Sequence, residues 1–426
     1  MSPTVAITHL GCKLNQAEVE SLARQFFLAG YTIVDAGQPA DVFILNSCTV
    51  TSLADRKSRQ LLRRARRLNP SAQVIATGCY AQRAPEDLRR MPEVTMVAGN
   101  AEKMRLPELL GIYGAEPETT GPRVPGRTRA FVKIQEGCNQ VCAYCIVPKT
   151  RGRERSVPVE SLITQVKNRA AEGYREVVLT GTQLGSYGFE FGPNLHNQPW
   201  YETLIRRILD ETSVERLRMS SLQPQEISPG LIDLYAQGRL CPHVHMPLQA
   251  GSDGVLKRMR RRYDTASYAK AVASLRAAAP DISITTDIIV GFPGESDEEF
   301  EEGRRFAEGI GFADMHVFPY SSRPGTSAAF MPNHIPDGAK QARGAQMLLA
   351  AKESARAYRQ GMVGKLVRVL WEGTARGQGL QTWTGHAENY IQVRTRSACD
   401  LSNYVIPARI VAARDDGLWA ELERDA

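Results

Sequence analysis

The sequence predicts an α/β protein with three parts: an N-terminal parallel α/β domain, a partial (β/α)6 barrel and a small C-terminal β-barrel. Short apolar runs alternate with helical periods over the first hundred residues, and six further strand-and-helix units follow. The end of the chain holds only short β-type runs with turn residues, which is typical of a small barrel. We expect domains at 1–115, 125–358 and 361–426.

Three predicted strands of the first domain each end in a cysteine. The strands are 4–12, 41–48 and 73–79, helices are expected at 15–31 and 54–68, and the cysteines are Cys12, Cys48 and Cys79. Because the carboxyl ends of parallel strands share one edge of a sheet, these thiols should converge. The alternative is three buried cysteines acting as small apolar residues, which predicts no preference for strand ends.

A segment rich in Gly and Pro, residues 111–129, is expected to be a linker to the second domain. Strands are predicted beyond it at 130–138, 176–183, 216–222, 243–249, 283–292 and 314–321. Helices are predicted at 158–172, 201–211, 226–237, 264–278 and 296–309, the last with a start signal at Ser296 and Glu299. Six units are too few for a closed eight-fold barrel, so we expect an open one whose chemistry lies at the carboxyl-terminal rim.

Composition favours a globular protein of the cytoplasm. The 426 residues are 42% hydrophobic and 23% charged. We expect no membrane span, because no run of about 18 apolar residues occurs, and no secretion signal at the start. The eight cysteines do not make a disulfide-dense scaffold, and they fit a reducing compartment in which thiols bind metal.

The cations of the chain are concentrated in two runs. The chain has 53 Lys and Arg against 46 Asp and Glu. One run, 56–69, carries Arg56, Lys57, Arg59, Arg63, Arg64, Arg66 and Arg67, and the other spans 257–263. Each run alone is compatible with a solvated helix face, but two of them in a basic chain favour a nucleic acid partner.

The segment EGCNQVCAYCIVP, 136–148, places Cys138, Cys142 and Cys145 within eight positions. An odd number of thiols cannot all form disulfides, and a structural zinc site normally has four ligands. Closely spaced thiolates are typical of iron–sulfur clusters. If three irons of a 4Fe-4S cube carry protein ligands, the fourth is open to a small molecule.

This C-x3-C-x2-C loop after the first barrel strand resembles the radical S-adenosylmethionine (SAM) enzymes, and Tyr144 matches the aromatic position of that family. The resemblance implies that the open iron binds SAM. It also implies that reductive cleavage of SAM yields a 5′-deoxyadenosyl radical, which removes hydrogen from an unactivated C–H bond.

Over nearly its whole length the chain is similar to the methylthiotransferases. The resemblance implies a second 4Fe-4S cluster on Cys12, Cys48 and Cys79, and a terminal RNA-binding TRAM domain. GCKLNQ (11–16) and NSCTVT (46–51) fit the subgroup that acts on N6-threonylcarbamoyladenosine in the anticodon stem-loop of transfer RNA. The other partners implied are SAM, an electron donor such as flavodoxin or ferredoxin, and a sulfur donor.

Candidate SAM contacts also follow from the resemblance. Loops 180–188 and 287–295 match SAM-contacting loops, with Gly181, Gln183 and Gly291 as candidates and Gln249 as a ribose contact. Tight βα turns alone would also explain the glycines. His243 and His245 fit either a metal site or, as we favour, a hydrogen-bonded core, and Cys241 and Cys399 are expected to be structural.

The sequence is also compatible with other functions. Sister subgroups of the family act on isopentenyladenosine in transfer RNA or on an aspartate of a ribosomal protein. A non-catalytic RNA-binding iron–sulfur protein and a zinc-bound structural protein are alternatives of a different class.

Overall fold

A computed structural model of the chain describes residues 2–112, 127–193, 198–238, 240–374 and 380–423. Most of the predicted linker, 111–129, and the last three residues of the third predicted domain lie outside these ranges. None of the helices in the described ranges is both long enough and apolar enough to cross a bilayer. The three domain limits stay predictions.

The first part of the chain forms a parallel sheet covered by helices. Its strands are β1 (Thr4–His9), β2 (Thr32–Val34), β3 (Val42–Ser47), β4 (Gln73–Gly78) and β5 (Met96–Val97), in the order β2-β1-β3-β4-β5. Its helices are α1 (Lys13–Leu28), α2 (Ser52–Leu68), α3 (Cys79–Arg83), α4 (Pro85–Arg89) and α5 (Leu106–Leu109). Separate apolar clusters pack on the two faces of the sheet, as strands buried on both sides require.

Six parallel strands and their helices form the predicted partial barrel. The strands of this part are β6 (Arg129–Lys133), β7 (Gln135–Glu136), β8 (Arg155–Ser156), β9 (Glu176–Thr180), β10 (Arg216–Met219), β11 (His243–His245), β12 (Ser283–Val290) and β13 (Asp314–Pro319). Its helices are α6 (Val147–Arg151), α7 (Val159–Ala171), α8 (Trp200–Glu211), α9 (Pro229–Tyr235), α10 (Asp253–Arg258), α11 (Thr265–Ala278), α12 (Asp297–Ile310) and α13 (Asp337–Gln360). The sheets β6-β9-β10 and β11-β12-β13 are joined by parallel bridges such as Ser221 to His245.

Several predicted strands are shorter in the structure. The strand expected at 130–138 ends at Lys133, because β7 leaves the barrel and pairs in antiparallel fashion with β8, which follows the cysteine loop and α6. The strand expected at 243–249 ends at His245, and Pro247, which has no N–H to donate, follows two residues later.

Helix starts follow the capping side chains. The Ser296 hydroxyl accepts from the Glu299 N–H at 3.2 Å and the Glu299 carboxylate accepts from the Ser296 N–H at 3.0 Å, the capping box that the sequence predicts. The helix expected at 226–237 begins only at Pro229, because the Ser228 hydroxyl caps it by accepting from Leu231.

The last part is a closed five-stranded barrel, as predicted. Its strands are β14 (Leu366–Thr374), β15 (Gln381–Ala387), β16 (Gln392–Ser397), β17 (Val405–Arg414) and β18 (Gly417–Leu422), in the closed order β14-β15-β16-β18-β17. The buried Trp371 and Trp383 are the largest side chains of its core.

The turn between β15 and β16 closes the amino-terminal end of the six-stranded barrel. Arg216 donates to the carbonyls of His386 and Ala387, and Arg218 donates to that of Glu388 at 2.9 Å. The Tyr390 ring of this turn lies 4.9 Å from the ring of His243, the first residue of β11. We call residues 386–390 the barrel floor.

The first domain covers the side of the barrel that lies open between β6 and β13. Helix α1 packs along β6. At the other edge, Arg323, which follows β13, donates to Asp55 of α2 at 2.5 Å, and the Ser52 N–H donates to Ser321. The interior of the barrel is therefore enclosed by parts of all three predicted domains.

Candidate iron–sulfur and SAM site

The three clustered cysteines lie on the loop between β7 and α6, at the carboxyl ends of the barrel strands. Cys138, Cys142 and Cys145 line one cavity. The backbone of Ala143 fixes the loop, since its N–H donates to Met259 and its carbonyl accepts from Ala328. The three thiols therefore reach the cavity from a loop that is held on both sides.

The environment of these thiols suits a metal cluster. Burial raises the pKa of Cys138 to about 11 and that of Cys145 to about 12, so free thiols there stay protonated at neutral pH. A bound soft metal removes such protons, and nearby donors then stabilise the thiolates. The Gln140 N–H donates to Cys138 Sγ at 3.4 Å, and Arg261 Nη1 lies 3.2 Å from Cys142 Sγ.

Arg261 is a site residue that the sequence did not indicate. It belongs to the run 257–263, one of the two runs that favour a nucleic acid partner, and two members of this run make contacts within the protein. Arg258 pairs with Glu299, and Arg261 lies inside the cavity. Arg260 and Arg262 on either side of Arg261 are exposed.

Three of the predicted SAM contacts line the same cavity: Tyr144, Gln183 and Gln249. The Gln183 side chain donates to Glu226 and accepts from Gln223 at 2.6 Å, so its orientation is fixed. Gln249 has a φ of +67°, unusual for a residue other than glycine, and such strain is concentrated at functional sites.

Gly181 and Gly291 are not among the residues that line this cavity in the described part of the chain. Gly181 packs against Gln135. The Gln135 side chain accepts hydrogen bonds from the backbone N–H groups of Thr182 and Gln183. The Gly291 N–H donates to Glu295 at 2.6 Å. Their contacts with SAM stay predictions.

Glu226 is a second cavity residue without a sequence signal. Burial raises the pKa of its carboxyl to about 7, although the Gln223 N–H donates to it at 2.8 Å and Gln183 also donates. A carboxyl group that gains its charge near neutral pH in a cleft is a frequent feature of functional sites.

The three cysteines of the first domain converge, each at the end of a different strand. Cys12 caps α1, Cys48 follows β3 and Cys79 begins α3. Burial raises the pKa of Cys48 to about 12, and the nearby Cys12 and Cys79 contribute to the increase. Gly11 permits the close approach, because a Cβ on it would lie 2.7 Å from Cys48 Sγ.

A buried ionic network connects the two segments that carry the two sets of thiols. Arg151, six residues after Cys145, donates to Asn15 at 2.5 Å and to Glu18 at 2.8 Å. Lys103 also donates to Glu18, at 2.6 Å. Because Asn15 lies three residues after Cys12, this network links the start of α1 to the cysteine loop of the barrel.

Both sets of thiols supply three sulfur donors of the kind that a cubane cluster uses. Ligands of a 4Fe-4S cube bind different irons, and thiolate is the donor that such clusters require. The residues that could hold the two clusters are Cys12, Cys48, Cys79, Cys138, Cys142 and Cys145.

The remaining candidates are hydrogen-bonded or isolated. His243 and His245 both contact the Thr285 hydroxyl, at 3.3 and 2.9 Å, and His245 also contacts Asp287 at 3.2 Å, which agrees with the hydrogen-bonded core that we favoured. Cys241 is buried and Cys399 is exposed.

Comparison with known proteins first identifies the class of protein to which the chain belongs. Residues 4–99 match the model described as Uncharacterized protein family UPF0004, and residues 132–307 match the Radical SAM superfamily. The structure of the radical SAM methyltransferase TsrM from Kitasatospora setae, with tryptophan and a SAM analogue bound, superposes with a TM-score of 0.53. It covers 74% of this chain and 73% of that chain at 16% identity, and so shares the fold. The fold and the cysteine loop thus define a radical SAM protein.

The relatives are transfer RNA methylthiotransferases, and the chain belongs to that family. Threonylcarbamoyladenosine tRNA methylthiotransferase MtaB of Bacillus subtilis is 34% identical over 96% of this chain and 94% of its own length. The protein of the same description in Aquifex aeolicus is 39% identical over 80% of this chain and 85% of its own. The tRNA-2-methylthio-N(6)-dimethylallyladenosine synthase of Akkermansia muciniphila is 33% identical over 96% of both chains.

Iron content tests the two sets of thiols. We expect Cys48→Ala and Cys142→Ala each to lose about half of the iron of anaerobically reconstituted protein, because each removes a ligand of a different cluster. Cys399→Ala, at an exposed thiol, should keep all of it. Retention of full iron by either of the first two variants would contradict the ligand sets.

Glu226 should make SAM binding depend on pH. The carboxylate forms as the pH rises through its pKa of about 7, and it then attracts the positively charged SAM. Affinity measured by equilibrium dialysis should increase about tenfold from about pH 6 to about pH 8, the effect of about 1.4 kcal/mol. Glu226→Gln should remove the increase and Glu301→Gln should keep it; an increase that survives Glu226→Gln would assign it to another group.

Proposed function

We propose that this protein methylthiolates N6-threonylcarbamoyladenosine at C2 of the adenine ring, at the adenosine 3′ of the anticodon in transfer RNA. The product is 2-methylthio-N6-threonylcarbamoyladenosine. The observation that carries the proposal is the juxtaposition of two three-thiol sets through Arg151, in a chain related to enzymes of that description over most of its length.

The residues of the site take distinct roles in this proposal. Cys138, Cys142 and Cys145 hold the cluster that binds SAM, and Cys12, Cys48 and Cys79 hold the second cluster. When bound, the clusters and SAM supply the radical and sulfur chemistry that an unactivated ring carbon requires. The residues proposed to position SAM are Tyr144, Gly181, Gln183, Gln249 and Gly291, together with Glu226 of the same cavity.

Transfer RNA is proposed to bind across the first and last domains. Five cations of α2 are exposed, namely Arg56, Lys57, Arg63, Arg64 and Arg67. Helix α2 begins beside the open side of the barrel, where Ser52 contacts Ser321. The C-terminal barrel is proposed to act as a TRAM-type RNA-binding domain, and an anticodon loop presents its bases already partly unstacked.

An electron donor such as flavodoxin or ferredoxin is proposed to bind the outer side of the cysteine loop. Val141 and Phe330 are 68% and 82% exposed there, and the exposed Arg260 and Arg262 are complementary to an acidic protein. A sulfur donor that renews the second cluster and a cytoplasmic location complete the proposal.

The test is the reaction itself. Anaerobically reconstituted protein, SAM and reduced flavodoxin are incubated with an anticodon stem-loop RNA that contains N6-threonylcarbamoyladenosine. Mass spectrometry of the nucleosides should show 2-methylthio-N6-threonylcarbamoyladenosine, together with 5′-deoxyadenosine.

The same assay separates the alternatives. Product only on an RNA with isopentenyladenosine would assign the chain to the function of the dimethylallyladenosine synthases. Modification of a ribosomal protein in place of either RNA would assign the third substrate. An absence of 5′-deoxyadenosine with every substrate would leave a non-catalytic iron–sulfur protein.

The exposed face of α2 should contribute to RNA affinity through phosphate contacts. Arg64→Gln with Arg67→Gln should weaken binding of transfer RNA, and the slope of log affinity against log salt should become less steep by about 1 for each lost contact. Fluorescence anisotropy over a salt series measures this. The control is Arg356→Gln, an exposed arginine of α13. Equal slopes for the wild type and the α2 variant would contradict the proposed RNA face.

A further inference from the structure

Lys13 lies at a boundary between the second thiol set and the interior of the barrel. It is the first residue of α1 and follows Cys12 directly. Its Nζ lies 5.1 Å from the centre of the Tyr390 ring on the barrel floor. The Lys13 side chain therefore extends from the second thiol set toward the barrel floor.

Several cations surround the Tyr390 ring, and the others have carboxylate partners. The guanidinium groups of Arg129 and Arg218 lie 5.1 and 4.7 Å from the ring centre. Arg218 pairs with Glu176 at 2.7 Å, and Arg129 pairs with Glu372 at 2.8 Å.

Asp287, another acidic residue near Lys13, also has partners of its own. Asp287 contacts His245 and His316, each at 3.2 Å. Lys13 has neither a hydrogen bond nor a carboxylate within 4 Å among the residues that the structure describes. Within the same residues, its ammonium group makes a cation–π contact with the face of the Tyr390 ring. An aromatic face shared by three cations compensates their charge only in part. The ammonium group of Lys13 is therefore available to an anion.

The proposed substrate carries such an anion, and this inference rests on the proposed function. The N6 substituent of N6-threonylcarbamoyladenosine ends in a threonine carboxylate, whereas a dimethylallyl group is neutral and apolar. We propose that the Lys13 ammonium binds the carboxylate of the N6-threonylcarbamoyl group, above the Tyr390 ring, and so selects this nucleoside over those with uncharged N6 substituents.

Two features of the structure support this assignment. Lys13 adjoins Cys12, so a nucleobase placed at the second thiol set has its N6 substituent within reach of the Lys13 side chain. Arg129 and Arg218 surround the same Tyr390 ring, and an apolar substituent above it would leave the Lys13 ammonium without an anionic partner. Lys13 is a specificity-determining residue in this proposal and takes no part in the chemical step.

The experiment measures RNA affinity of the reconstituted holoenzyme in the absence of SAM. The probes are an anticodon stem-loop RNA with N6-threonylcarbamoyladenosine and the same RNA with the threonine carboxylate as its methyl ester. The wild type should bind the acid about 10- to 100-fold more tightly than the ester, the range expected for a hydrogen bond to a charged group. Lys13→Gln should bind both RNAs as the wild type binds the ester, and Lys13→Arg should recover part of the difference.

Lys270→Gln, at an exposed lysine of α11, is the matched control and should keep the full preference of the wild type. Iron content and 5′-deoxyadenosine formation without RNA show whether Lys13→Gln retains both clusters. Equal affinity of the wild type for acid and ester, or equal loss on both RNAs in Lys13→Gln, would overturn the proposal. Because affinity is read without turnover, a wild type that forms no product would count against the proposed function and leave this comparison intact.

Discussion

The architecture of this protein depends on one buried carboxylate. Glu18 of α1 lies between Lys103 of its own domain and Arg151 of the barrel, at 2.6 and 2.8 Å. Burial alone would raise the pKa of Glu18, but the two cations outweigh it and hold the pKa well below its usual value. The carboxylate therefore stays charged at neutral pH. Removal of a partner would leave an uncompensated buried charge, so the network keeps α1 and the barrel loop in one relative position.

A second buried carboxylate lies at the opposite end of the barrel. Glu176 is fully buried and bound by Arg216 and Arg218, which in turn donate to carbonyls of the C-terminal barrel. The C-terminal barrel thus closes one end of the six-stranded barrel, and Tyr390 is part of the barrel floor. In the proposed function, the domain that binds RNA therefore also closes one end of the barrel in which the base would be modified.

The sequence predicted the parts of the structure that depend on local pattern. The alternation of strands and helices, the six-stranded barrel, the closed C-terminal barrel and the cap at Ser296 are confirmed. The six cysteines stand out in the sequence because one set ends predicted strands and the other is closely spaced, and their role as cluster ligands stays a prediction. Arg261 and Glu226 gave no signal, because their roles arise from contacts with Cys142 and Gln183, which lie 119 and 43 residues away along the chain. The barrel floor gave no signal for the same reason. Its contacts join the turn between β15 and β16 to the first residues of β10 and β11, which are far away along the chain.

The proposed reaction requires two clusters that face one chamber. Anomalous diffraction at the iron edge from anaerobic crystals tests this requirement, because it locates iron independently of any assumed ligand. We expect two iron sites per chain, one at the loop that contains Cys142 and one beside Cys48, with the barrel interior between them. A single iron site, or a second one on the outer surface of the first domain, would rule out a reaction between two facing clusters.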